Sequence, residues 1–203
     1  MGTNGTRPLV TLFEAYGSGA DVVGPAVAEA LGVPWVGQSV SSEELDAADP
    51  RGTGRVDVKK FFRTLGFVDI GSIDLIESPE SSVIRGNVSS VRELSKDGGV
   101  ILGRNATVIL ADEPGALHVK LVAPREDRLI YAARSANISG RQAELRQRRE
   151  DEARANMSIE LWGWDPRTTD RYDLVINTSA FGHQGAIEMI LDAYKRKQAR
   201  LGA

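Results

Sequence analysis

The residues best suited to chemistry lie just after an apolar run near the start of the chain. Tyr16-Gly17-Ser18-Gly19 follows Leu9-Val10-Thr11-Leu12-Phe13 and precedes a stretch with helical spacing. Glycines at such a turn let backbone N–H groups approach a phosphate, and the N-terminus of the following helix adds partial positive charge. The same glycines also serve an ordinary strand-to-helix turn, and the residues alone leave both readings open. Two sharper patterns fail. Val22 stands where G-x-G-x-x-G needs its third glycine, which disfavours a dinucleotide-dependent oxidoreductase. Ala20, with Asp21 after it, stands where G-x-x-x-x-G-K-[ST] needs its lysine.

A second set of candidates is cationic. Arg104 follows Gly103 at the end of another apolar run, Val100-Ile101-Leu102. That end of a strand is where ligands bind in open α/β sheets. Arg148, Asp151 and Arg154 recur every third residue and so share one face of a charged helix expected over 139–156. Arginine suits phosphoryl chemistry because its planar fork binds phosphate oxygens in pairs and stays charged. A solvated, salt-bridged surface helix produces the same pattern. That face has few apolar residues, so the helix is expected to stand partly away from the core.

These residues need a scaffold of alternating strands and helices. Residues 9–13 read as a first strand and 20–31 as a helix closed by Gly32, with Gly24 and Pro25 weakening its first turns. Residues 33–36 read as a brief second strand. Ser41, Ser42, Glu43 and Glu44 look like a helix start, residues 49–54 like a loop, and Val58, Phe61, Phe62 and Leu65 like one face of a helix. Ser78-Pro79-Glu80 opens a further helix, with serine as N-cap and proline at its first position, ended by Lys96 and Gly98-Gly99. Strands over 100–102, 117–123 and 172–176 each precede a helix, the last over 186–197. This alternation predicts one α/β domain with a doubly wound parallel sheet covered on both faces.

Composition narrows the partners. The 203 residues carry 25 Lys+Arg against 28 Asp+Glu, a net charge of −3, which argues against nucleic-acid polymers and anionic membranes as partners. The absence of cysteine removes disulfides and thiolate metal sites and suits a reducing compartment, so the expected location is cytoplasmic. His118 and His183 are the only imidazoles, too few for a histidine-rich metal site. No apolar run reaches the length of a membrane span.

Taken in order, Tyr16-Gly17-Ser18-Gly19, Gly103-Arg104-Asn105-Ala106, Arg148-x-x-Asp151-x-x-Arg154 and Tyr172-Asp173-Leu174-Val175-Ile176-Asn177-Thr178 resemble the cytidylate kinase-like family. These proteins are relatives of cytidylate kinase among the P-loop nucleoside monophosphate kinases. The resemblance runs from about Leu9 to Tyr194, weakest over 38–78. It implies a P-loop kinase-like three-layer fold in one domain over 1–203. A monophosphate-binding insertion would occupy 38–90 and a helical lid 135–170.

The resemblance also implies roles. Tyr16, Gly17, Ser18, Gly19, Ala20 and Asp21 would form the ATP loop. Arg104, Asn105 and Arg128 would meet the acceptor, with Asn105 standing at an aspartate position of cytidylate kinase. Arg148, Asp151 and Arg154 would be the catalytic lid residues, and Asn177-Thr178 matches the family's Asn-Thr before the last helix. ATP and Mg2+ are the implied cofactors, and nucleotides or another small phosphorylated molecule the implied partners, with homo-oligomerisation left open. The chain departs from the pattern at Ala20, where lysine is expected, and at Val22, where a magnesium-binding Ser/Thr is expected. Glu14 and Asp21 are then the carboxylates left to place a magnesium ion. The alternative is a nucleotide-binding sensor that has lost catalysis.

Overall fold

The computed structural model describes residues 7–49, 51, 53 and 79–202. The helix expected around Val58–Leu65 and the Ser78 cap lie outside the described residues. The elements, in chain order, are β1 (Leu9–Glu14), α1 (Ala20–Leu31), β2 (Trp35–Val36), α2 (Ser42–Ala48), α3 (Pro79–Ser95), β3 (Gly99–Leu102), α4 (Ala106–Ile109), β4 (Ala116–Val122), α5 (Arg125–Ser135), α6 (Gly140–Trp162), β5 (Leu174–Asn177) and α7 (Thr178–Leu201). The five strands form one parallel sheet in the order β2-β3-β1-β4-β5, with β1 at its centre. Such an order needs helical crossovers on both faces, as the alternating sequence predicts.

Strand alternation builds the layers. Val10 and Leu12 of β1, with Val119 and Leu121 of β4, face Val23 and Val27 of α1 and Ile190 of α7. Leu9, Ile101 and Ala116 point to the opposite face, against Val91 of α3 and Ile109 beside it. Each wholly buried Leu or Val contributes about 1.5–3 kcal/mol relative to exposure. The second face also carries a polar chain in which Thr11 Oγ1 lies 2.8 Å from His118 Nδ1 and 3.1 Å from Thr107 Oγ1. Burial lowers the pKa of that imidazole.

Local signals set the boundaries. Gly32, in the left-handed region at φ 66°, closes α1, and Pro25 is accommodated inside that helix. Ser41 and Glu44 make a reciprocal capping box at the start of α2. The second strand is shorter than expected, at two residues, and the Pro34 carbonyl just before it accepts from the Val100 amide at 2.9 Å. The last helix is longer than expected, starting at Thr178 and bending at Gly182, whose φ of 68° and ψ of 169° are not helical.

The largest departure concerns α6. It does not stand away from the core: Ala143, Ala153, Ala155, Met157 and Leu161 are buried. Three of them, Ala153, Met157 and Leu161, share a cluster with Leu45 of α2 and Val83 of α3. Small alanines bring the helix close, and charge pairing supplies the rest. Arg146 meets Asp46 at 2.6 Å, and Arg149, only 5% exposed, is paired with Asp46 and donates to the Asp49 carbonyl at 2.7 Å. Among the described residues, no helix is long and apolar enough to cross a membrane.

Candidate active site

Central strand β1 ends at Glu14, and residues 15–19 turn the chain into α1. Gly17 and Gly19 both have φ 85°, a conformation that L side chains rarely adopt. Space restricts them too. A Cβ on Gly17 would lie 2.5 Å from the Arg128 carbonyl oxygen, and one on Gly19 would overlap the His183 ring. The Ser18 amide donates to the Ala15 carbonyl at 3.0 Å, while its buried hydroxyl has no hydrogen-bond partner among the described residues.

Side chains fasten the loop on several sides. The Tyr16 amide donates to Asp151 Oδ1 at 2.9 Å, and Arg128 donates to the Tyr16 carbonyl at 3.2 Å and to Asp151 Oδ2 at 2.8 Å. The Ala20 amide donates to Glu14 Oε2 at 3.1 Å. Burial pushes the Glu14 carboxyl up to about 7, against the lowering effects of the Ala20 amide and Arg154. Asp21 turns to α5, where the Tyr131 hydroxyl donates to its Oδ1 at 2.8 Å. Tyr131 also meets the His183 ring edge-on, with centroids 5.0 Å apart.

The register of β1 and β3 brings the second motif alongside. Leu12 pairs with Leu102, and the Gly103 amide donates to the Leu12 carbonyl at 2.8 Å. Arg104 and Asn105 follow at φ 56° and 57°, an uncommon backbone for residues with side chains. Arg104 Nε donates to the Gly37 carbonyl at 3.0 Å, which ties its side chain to the segment after β2.

Two clefts open here. One, of about 410 Å³, is bordered by Glu14, Tyr16, Gly17, Asp21, Arg146 and Arg154. The other is bordered by Gln38, Asn87, Arg104, Asn105, Thr107 and Arg154. Arg154 belongs to both walls and is ion-paired with the wholly buried Glu150. The cationic side chains that border the clefts can neutralise an anion spanning them.

The structure brings Tyr16, Gly17, Ser18, Gly19, Ala20, Asp21, Arg104, Asn105 and Arg154 to one end of the sheet. It places Asp151 and Arg128 against the Tyr16 peptide instead of along a cleft wall. Arg148 is exposed and borders neither cleft. Sequence reasoning did not single out Arg146, Tyr131 or, beyond its imidazole, His183. None of these carries a local signal, because each reaches the site from a distant helix. No group of three or more His, Cys, Asp or Glu that could hold a metal occurs among the described residues. Asp21 and Glu14 are carboxylates bordering the first cleft, and either could ligate a cation there.

A parallel sheet in this order, with a glycine loop between its central strand and first helix, defines an α/β fold of the P-loop kinase class. The fold resembles a gluconokinase from Sinorhizobium meliloti 1021 at a TM-score of 0.50 and 17% identity, covering 97% of this chain and 96% of that one. A crystal structure of an uncharacterized protein from Eubacterium ventriosum is more alike, with a TM-score of 0.67 at 16% identity over 93% of this chain and 98% of that one. Within this class, the chain belongs to the cytidylate kinase-like family, whose model matches residues 9–180. It is also 32% identical over 117 residues to a uronate isomerase from Corynebacterium glutamicum. That match takes in 58% of this chain but 23% of the relative.

Proposed function

We propose that the protein transfers the γ-phosphoryl group of ATP to a nucleoside monophosphate such as CMP, working in the cytoplasm. The observation that carries this reading is the position of Arg154 on the shared wall of the two clefts. Phosphoryl transfer needs little covalent help from a protein; it needs the two substrates held in line and the moving charge neutralised. Within the 17–19 turn the Gly17 and Gly19 amides, with the start of α1, hold the donor phosphates, because the Ser18 amide is engaged by the Ala15 carbonyl. Arg104 and Asn105 hold the acceptor's phosphate, and Arg154 meets the group in transit. Residues 38–90 supply the acceptor side and 135–170 the lid. Mg2+, arriving with ATP, would add its charge to the donor phosphates.

A second reading, a nucleotide-binding protein without turnover, has its own support. Ala20 supplies no ammonium group, and its amide is already engaged by Glu14. Removing one electrostatic donor from such a site costs about 10²–10³ in rate. Calorimetric titration with ATP, with a non-hydrolysable analogue and with monophosphates, each with and without Mg2+, followed by a coupled kinase assay, separates the two. Magnesium-dependent turnover that Arg154→Ala abolishes establishes the kinase. Binding without turnover on any acceptor establishes the sensor, and no binding of any phosphate compound defeats both.

A further inference from the structure

Asp151 lies midway along α6, and its carboxylate receives three donors. They are the Tyr16 amide at 2.9 Å, an Arg128 guanidinium nitrogen at 2.8 Å and the Gln147 side-chain amide at 3.0 Å. The same Arg128 nitrogen donates to the Tyr16 carbonyl. Both backbone polar groups of Tyr16 are therefore gripped by side chains, one from α5 and one from α6, which lie 112 and 135 residues away in sequence. The pair is largely sheltered, with Arg128 at 11% and Asp151 at 24% exposure. The backbone of Arg128 closes the other side of the turn by packing on Gly17.

Resting on the donor-loop reading above, we infer that Asp151 and Arg128 are positioning residues for that loop, fixing the Tyr16 peptide without touching either substrate. Three considerations support this. A carboxylate aimed at a polyphosphate would repel it, whereas Asp151 spends its lone pairs on donors beneath the loop. Arg128 is engaged by Asp151 and the Tyr16 carbonyl, and Asp151 is the one carboxylate within ion-pair distance of it among the described residues. Arg154, one turn further along α6, enters both clefts. One helix thus sets the loop through Asp151 and presents Arg154, so the donor amides and the charge-neutralising guanidinium keep a fixed relation.

The test uses the full chain with Asp151→Ala, Arg128→Ala, the double variant and Asp151→Asn. Arg125→Ala serves as control, because Arg125 joins the same two helices through an exposed pair with Glu144 at 2.7 Å and lies off the loop. Hydrogen exchange of the Tyr16 and Ser18 amides, which are hydrogen-bonded to Asp151 and the Ala15 carbonyl, is measured without ligand, and affinity for a non-hydrolysable ATP analogue and for CMP is measured by calorimetry. Each single variant should speed exchange and weaken the ATP analogue by about tenfold while leaving CMP affinity unchanged. The double variant should be worse than either single one but lose less than the sum of the two, because the Arg128–Asp151 pair couples the two grips on Tyr16. Asp151→Asn keeps one acceptor oxygen for Tyr16 and should fall between wild type and Asp151→Ala, which also covers the case in which the alanine variant does not fold. Arg125→Ala should match wild type. Unchanged exchange in the Asp151 variants, or a loss confined to CMP, overturns the inference. If wild type binds no nucleotide, the proposed function fails, while the exchange arm still decides whether the pair sets the loop.

Discussion

The Glu14 carboxylate accepts a hydrogen bond from the Ala20 amide at 3.1 Å, across the mouth of the glycine loop. A side chain from the end of β1 thereby occupies the first amide of α1. Asp21 and Glu150 add negative charge around it, and Arg154 opposes them. Burial is the largest influence on this carboxyl and disfavours its ionised form.

Stability should report that carboxyl. Its pKa rises from 4.5 to about 7 on folding, so between those values the folded protein binds more protons than the unfolded chain. Its contribution is fully present below pH 4.5 and is lost as the pH rises through about 7. Glu14→Gln removes the titration. The stability of Glu14→Gln relative to wild type should therefore be greater at pH 8 than at pH 5, read from urea unfolding at both. A constant difference across that range would disprove the assignment.

On the proposed function, Arg154 and Arg148 should separate in a coupled kinase assay. Arg154 borders both clefts, and Arg148 borders neither. Arg154→Ala should lower kcat by about 10²-fold or more. Arg148→Ala should stay within a few-fold of wild type, and the reverse order would assign the transition-state charge to Arg148.

Gly19 should resist substitution for two separable reasons. Its φ of 85° strains any other residue by about 1–2 kcal/mol, and a Cβ would also overlap the His183 ring. Gly19→Ala should lower the melting temperature. Adding His183→Ala should recover the steric share and leave the backbone share. A Gly19→Ala protein as stable as wild type would show that the turn relaxes more than its packing implies.

Arg149 holds α6 against α2 through Asp46 and the Asp49 carbonyl while almost wholly buried. Arg149→Ala takes the Arg149 donor from the Asp49 carbonyl and leaves Asp46 with Arg146, and should cost roughly 2 kcal/mol of unfolding free energy. Arg125→Ala, at an exposed pair, should cost under about 1 kcal/mol, and equal losses in denaturant unfolding would remove the distinction.

The parts of the molecule legible in the sequence are those encoded over a few residues. The apolar run at 9–13 leading into Gly17 and Gly19, the Ser41–Glu44 capping box and Gly32 each specify their own geometry locally. The adjacency of Arg104 to the loop followed from placing two strand ends in one parallel sheet. The docking of α6 was not legible, because over 139–156 its buried surface is made of alanines and of charges whose partners lie 100 residues away, and the apolar Met157 and Leu161 lie past the expected end of the helix. Periodicity likewise placed Asp151 and Arg154 on one face, yet one anchors the loop and the other enters the clefts. Their roles depend on Tyr16 and on the depth of the wall, which spacing does not encode.

The turn between β1 and α1 is wedged, with the Arg128 carbonyl against Gly17 on one side and the imidazole of His183 against Gly19 on the other. Its consequence is entropic. On the proposed function, a ligand arriving there would meet a mould already cast, so association would sacrifice little chain freedom and affinity would follow the match of charge to the guest.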